Sequence, residues 1–123
     1  MEGGIILLSE YGKTLRKIRI DNGLTLAQMA QAVGITSAYL STIERGKRNI
    51  PKNLTQNIIG HYELSNEQAT ELQKAEYLSM DSFEIELSAV SLHKKTLVLS
   101  LAKNLKNMTY EQVARIKSIM EEN

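Results

Sequence analysis

The chain has 123 residues, a formal net charge of +1, one proline and no cysteine. That length holds one domain, or a small domain with an appendage, and the lack of cysteine excludes disulfides and thiolate metal sites and fits a reducing cytoplasm. No apolar run approaches the roughly eighteen residues of a membrane span, so no membrane role is expected.

In chain order, Met1–Leu8 opens with Gly3-Gly4 and a short apolar run, Ile5–Leu8, with no basic residues ahead of it. This is too short for a signal peptide and reads as an edge strand or a hydrophobic lead into the first helix. Ser9 can cap that helix, with Tyr11, Leu15 and Ile18 inward, Lys13, Arg16 and Lys17 outward, and Asn22-Gly23 as its end. Thr25 and Gln28 form a capping box that starts a second helix, in which Leu26, Met29, Ala30 and Val33 share one face. Gly34 stops it, Thr36 can cap a third helix with Leu40 and Ile43 inward, and Gly46 marks its end. Two short helices, a Gly-containing turn and small Ala30 at the crossing make a helix-turn-helix over residues 25–46.

Pro51 suits the first turn of a fourth helix with Leu54, Ile58, Ile59 and Tyr62 as its apolar set. Gly60 within it suggests close packing. Ser65 and Gln68 form a second capping box, opening a helix from Asn66 to about Met80 with Ala69, Leu72, Ala75 or Glu76, and Leu78 inward. Phe83, Ile85 and Leu87 alternate with Glu84 and Glu86, the pattern of a short half-buried strand. An isolated strand is unstable, so it would pair with Ile5–Leu8 or with its own copy across a dimer axis. Segments 92–105 and 110–122 are expected to close as a helical hairpin, the second opened by the capping box of Thr109 and Gln112. The fold class is all-α, with helices over residues 1–80 and a strand plus hairpin over 81–123.

The stretch QMAQAVGITSAYLSTIERGKRNIP resembles the helix-turn-helix of the lambda-repressor/Cro family, often called Xre-type. Gln28, Ala30, Gly34, Ser37, Tyr39, Leu40, Ile43, Glu44, Gly46, Lys47 and Pro51 stand at the family's spacing, and the resemblance covers roughly residues 10–65. It implies a five-helix DNA-binding domain whose second motif helix enters the major groove of double-stranded DNA. The outward positions of that helix are Ser37, Ala38, Ser41 and Thr42, with Arg45 one turn on, as candidate base contacts. None of the first four offers a bidentate contact, so specificity would rest partly on shape, water and Arg45. Candidate phosphate contacts are the helix starts at Thr25 and Thr36, then Gln28, Gln31 and Tyr39, and the basic run Lys47, Arg48 and Lys52. Tyr39 reads equally as a half-buried packing residue. The family pattern also implies that Glu44, ill-suited to phosphates, pairs with Arg19 of the first helix.

Charge agrees with an oriented DNA binder. Residues 1–64 carry eight Lys or Arg against five acids, whereas 65–91 carry Lys74 alone against six acids. His61 and His93 lie in no metal-ligand spacing, no phosphate loop appears, and residues 81–123 are too few for the protease domain of larger repressors. Catalysis, a metal and a cofactor are therefore not expected. Two functions remain: a dimeric, sequence-specific regulator of a palindromic operator in a bacterial or phage cytoplasm, or an antidote that autoregulates and binds a small toxin through its C-terminal part. In the first, homodimer contacts fall on Phe83, Ile85, Leu87, Leu97, Leu101, Leu105, Val113, Ile116 and Met120, a larger apolar surplus than monomers expose.

Overall fold

In the computed structural model residues 7–122 are described, and among them the secondary structure is helical. The elements are α1 (Glu10–Asn22), α2 (Leu26–Ala32), α3 (Ser37–Glu44), α4 (Leu54–His61), α5 (Asn66–Leu78), α6 (Leu92–Asn104), a 3-10 turn at Leu105–Asn107, and α7 (Tyr110–Met120). By contact the chain divides into two compact units, one ending at Phe83 and the other beginning at Glu84.

Local chemistry sets the helix starts of the first unit. Ser9, Thr25, Thr36 and Ser65 each accept a backbone N–H from the first turn, and at Thr25 and Ser65 the Gln three residues on bonds back to complete a capping box. The helix ends share one device. After α1, α2 and α3 the chain turns through Gly23, Gly34 and Gly46 at φ +64°, +78° and +74°. In each case the next amide bonds back five residues, from Leu24 to Arg19, Ile35 to Ala30 and Lys47 to Thr42. The same turn follows α4, where Leu64 bonds to Ile59, but there Glu63 occupies the left-handed position at φ 49°.

Each helix of this unit contributes to one core. Tyr11, Leu15 and Ile18 of α1 meet Met29 and Ala30 of α2, Leu40 and Ile43 of α3, Leu54 and Ile58 of α4, and Leu72 and Ala75 of α5. Helices of seven or eight residues, as α2, α3 and α4 are, are marginal alone, so this shared burial is what holds them. A hydrogen-bonded chain crosses the core's edge. Thr55 Oγ1 donates to a Glu76 carboxylate oxygen at 2.6 Å and lies 2.8 Å from the Tyr11 hydroxyl. Since Thr55 has a single hydroxyl proton, the Tyr11 O–H is the donor in that second bond.

Several sequence expectations need correction. Phe83, Ile85 and Leu87 form no strand: residues 82–87 have no regular structure, and extended chain without a ladder partner is not a strand. Of the proposed pairing segment, Ile5 and Ile6 lie outside the described residues, and Leu7 and Leu8 have no regular structure. Pro51 precedes α4 by a turn, its carbonyl accepting from the Leu54 amide, because the helix starts only at Leu54. Gly60 is not a close-packing site: a Cβ added there meets nothing within 4 Å. Helix α5 ends at Leu78, which is exposed, since the inward stripe stops at Ala75.

In the second unit, α6 starts at a Ser91 cap and α7 at the Thr109–Gln112 capping box. The expected hairpin would bury a shared face, yet no residue of either helix is buried. Leu97, Leu105 and Met120 are well exposed, and Val98 and Ile116 are only half-covered. Two helices alone enclose too little volume to bury large side chains on every side.

Candidate nucleic-acid interface

The site is built on α3, and α3 is fixed to α1 at its C-terminal end. Arg19 and Glu44 form a two-pronged ion pair, with the second guanidinium nitrogen 2.9 Å from the second carboxylate oxygen. Both residues are buried, and Arg19 also reaches the Met29 sulfur of α2 at 3.5 Å. The Glu44 carbonyl accepts from both the amide and the hydroxyl of Ser9, at 2.9 and 3.1 Å. Gly12 lies so close that a Cβ there would collide with the Glu44 backbone, so α1 and α3 touch main chain to main chain. Glu44 is thus held by side chain and carbonyl together, and the orientation of α3 is set before any ligand arrives. A carboxylate used this way is also neutralised where phosphates would repel it.

The start of α3 faces outward. Thr36 caps it, its hydroxyl oxygen accepting from the Tyr39 amide at 3.0 Å. Ala38 is exposed, and Ser37, Ser41 and Thr42 are half-buried. Thr42 donates its hydroxyl proton to the Tyr39 carbonyl at 2.7 Å, and the Arg45 Nε lies 3.4 Å from the Ser41 carbonyl. Tyr39 is half-buried against the core, with the Arg48 guanidinium 5.8 Å from its ring centroid. Thr36, Ala38, Tyr39, Thr42 and Arg48 therefore line one shallow concavity, and Ser37, Ser41 and Arg45 lie outside it.

The remaining candidates lie at and on α2 and in the segment between α3 and α4. Thr25 and Gln28 are exposed and occupied with each other: the Gln28 carbonyl oxygen accepts from the Thr25 amide, which leaves the Gln28 NH2 group for an outside acceptor. Gln31, Lys47, Arg48 and Lys52 are exposed. Among the described residues no carboxylate pairs with Arg45, Lys47, Arg48 or Lys52, whereas Lys13 pairs with Glu10 and Lys17 with Glu71. The cations of α1 are thus partly spent on acids, and those after α3 remain available to an anion.

Sequence reasoning missed Gly12, the Ser9 contacts to Glu44, and the stacking of Arg48 on Tyr39. Gly12 alone left a signal: a glycine in an amphipathic helix costs about 1 kcal/mol against alanine, which is tolerated where backbones must approach. The other two depend on loop geometry that has no periodicity to read.

Residues 10–72, just over half of the chain, match the helix-turn-helix domain family. The chain belongs to that family. A segment of 48 residues, 39% of this chain, is 46% identical to an uncharacterized HTH-type transcriptional regulator, RghRB, of Bacillus subtilis strain 168. An equally long segment is 40% identical to the HTH-type transcriptional repressor RghR of the same organism. The matched segment covers 34% and 36% of those proteins, about a third of their length. No solved structure gives a significant match. The chain thus carries a helix-turn-helix domain, part of which is similar to transcriptional regulators, and among its described residues no helix is long and apolar enough to cross a membrane.

Proposed function

We propose that this protein is a non-enzymatic, dimeric, sequence-specific transcriptional repressor of the lambda-repressor/Cro type, acting on a palindromic operator in a bacterial or phage cytoplasm. The observation that carries the reading is the attachment of α3 to α1 through Glu44, which fixes an outward helix whose following segment carries four cations with no carboxylate partner among the described residues. Helix α3 enters the major groove, with Ser37, Ala38, Ser41, Thr42 and Arg45 toward base edges. Phosphates on either side meet the capped starts at Thr25 and Thr36, the amides of Gln28 and Gln31, the Tyr39 hydroxyl, and Lys47, Arg48 and Lys52.

A single short helix covers too few base pairs for a unique site, so two copies act through a two-fold axis on half-sites roughly 34 Å apart. The surface for that pairing is residues 81–123, where Phe83, Ile85, Leu97, Leu101, Leu105, Val113 and Met120 are exposed. Leu87 and Ile116 are half-covered. The same exposed apolar side chains support the second reading, an antidote whose C-terminal part holds a small toxin. Selection of binding sites from random duplex DNA tests the first reading. An enriched inverted repeat is the expected result, and recovery of unenriched sequence at physiological salt would contradict it.

A further inference from the structure

A cleft of about 460 Å³ lies within the first unit, between the start of α1, the segment after α3 and the residues that follow α5. Its frame is held by two serines whose hydroxyl protons are both spent inside the fold. Ser9 donates to the Glu44 carbonyl and accepts from the Gly12 amide. Ser79 donates to the Ala75 carbonyl and accepts from the Tyr11 amide. Buried Ile43, half-buried Ile50 and exposed Met80 supply an apolar lining. Arg48 and Asp81 line the same cleft. Among the described residues neither has an ion-pair partner, and they do not pair with each other. Arg48 also lines the concavity on α3, where its guanidinium lies over the Tyr39 ring. One cation thus borders both hollows.

The charges decide what such a cleft can hold. A plain anion meets Arg48 but is repelled by Asp81, and a plain cation meets the reverse. A neutral apolar molecule would cover Ile43 and Met80 yet strip water from both charges without replacing it. A molecule that carries one charge of each sign around an apolar body satisfies all three parts of the lining. A carboxylate suits the fork of a guanidinium, and an ammonium suits a carboxylate. We propose that this cleft is a regulatory site for a small zwitterion with an apolar body, an amino acid or a dipeptide, with its carboxylate on Arg48 and its ammonium on Asp81. Occupancy withdraws Arg48 from the DNA backbone, so the ligand lowers DNA affinity and DNA lowers ligand affinity by the same factor. The binding stands on the cleft alone, and only its effect rests on the proposed DNA-binding role.

The test titrates the isotope-labelled full chain with L-leucine and with leucyl-leucine and follows the amide NMR spectrum. Saturable shifts gathered at residues 46–50 and 79–82 are expected, and the probe that gives them tells a free amino acid from a peptide. The N-acetylated probe lacks the ammonium and the C-amidated probe lacks the carboxylate. Each should bind about tenfold more weakly, the loss of one charge-assisted contact. Asp81→Asn should remove the preference for the free probe over its N-acetylated form. On operator DNA, saturating probe should lower the salt slope of wild-type binding by about 0.9, one phosphate contact, and leave the slope of Arg48→Ala unchanged. A lack of localised shifts at millimolar probe would overturn the site. Blocked forms that bind as well as the free probe would overturn the zwitterion assignment. Localised shifts with an unchanged salt slope would overturn the coupling through Arg48. If no duplex binds, the DNA-binding role fails, and the titrations of wild type and Asp81→Asn still decide the cleft.

Discussion

At Glu63 a β-carbon occupies a left-handed turn position that glycine fills after α1, α2 and α3. For residues other than glycine that conformation costs roughly 1–2 kcal/mol, and Glu63 is exposed, so its side chain is free to go. Glu63→Gly should therefore stabilise the first unit by about 1 kcal/mol, read as a higher melting temperature in calorimetry, and an unchanged or lower value would show that the turn is not strained. Tyr11 makes a pH-dependent prediction. Burial is the largest cause holding its hydroxyl proton well above the ordinary value near 10, and the charges of Glu76 and Glu44 add to it. The folded state keeps that proton where the unfolded chain loses it, so the Tyr11 contribution is complete below about pH 10 and fades as pH rises further, by up to 1.4 kcal/mol per unit. Tyr11→Phe should cost about 1 kcal/mol at pH 8 through the lost bond to Thr55, and that deficit should shrink or reverse by pH 11 in urea unfolding. A deficit constant with pH would contradict the assignment.

At the scale of elements, the contact between α1 and α3 decides the geometry of the site. Removing one partner of a buried ion pair leaves the other charge uncompensated, so Arg19→Ala is expected to cost about 3–5 kcal/mol, with a matching loss of DNA affinity. Adding Glu44→Ala should cost little more, because the two act as one unit, and strictly additive losses would argue against that. Gly12→Ala, which adds one carbon, should disturb the same contact and displace α3, visible as shifts in the amide spectrum of residues 37–46. The sequence was most legible where chemistry is local. The caps at Ser9, Thr25, Thr36, Ser65 and Thr109 and the glycines after α1, α2 and α3 mark their own helices, and the spacing of Leu26, Met29, Ala30 and Val33 has one helical meaning. It was least legible over 81–105. Alternation in Phe83, Ile85 and Leu87 reports which side chains lie on opposite sides of an extended chain, but no pattern in one strand supplies the partner that would make it a sheet. Likewise the apolar spacing of α6 says that a face wants cover and not what covers it, which is why a buried hairpin face was expected and an exposed one is observed.

The molecule as a whole combines a unit with a complete core and a unit whose large apolar side chains are exposed, the arrangement expected of a chain that is finished by a partner. If a second copy is that partner, a chain ending at Phe83 should fold, sediment as a monomer and bind the operator far more weakly than the full chain. A truncated chain that still sediments as a dimer at micromolar concentration would move the interface into the first unit. The candidate base contacts Ser37, Ala38, Ser41 and Thr42 were legible through their shared spacing on α3, whereas the contacts of Thr42 with the Tyr39 carbonyl and of Arg48 with the Tyr39 ring had no pattern to announce them. The most direct test of the central proposal, that α3 reads sequence while the basic edge after it holds the backbone, separates those two roles. The measurement is the affinity of two double variants for operator and random duplexes across a salt series. Thr42→Ala with Arg45→Ala should weaken operator binding and leave random-duplex binding less affected, whereas Lys47→Ala with Arg48→Ala should weaken both alike and flatten the salt dependence by about two phosphate contacts. Identical behaviour of the two variants on both duplexes would contradict it.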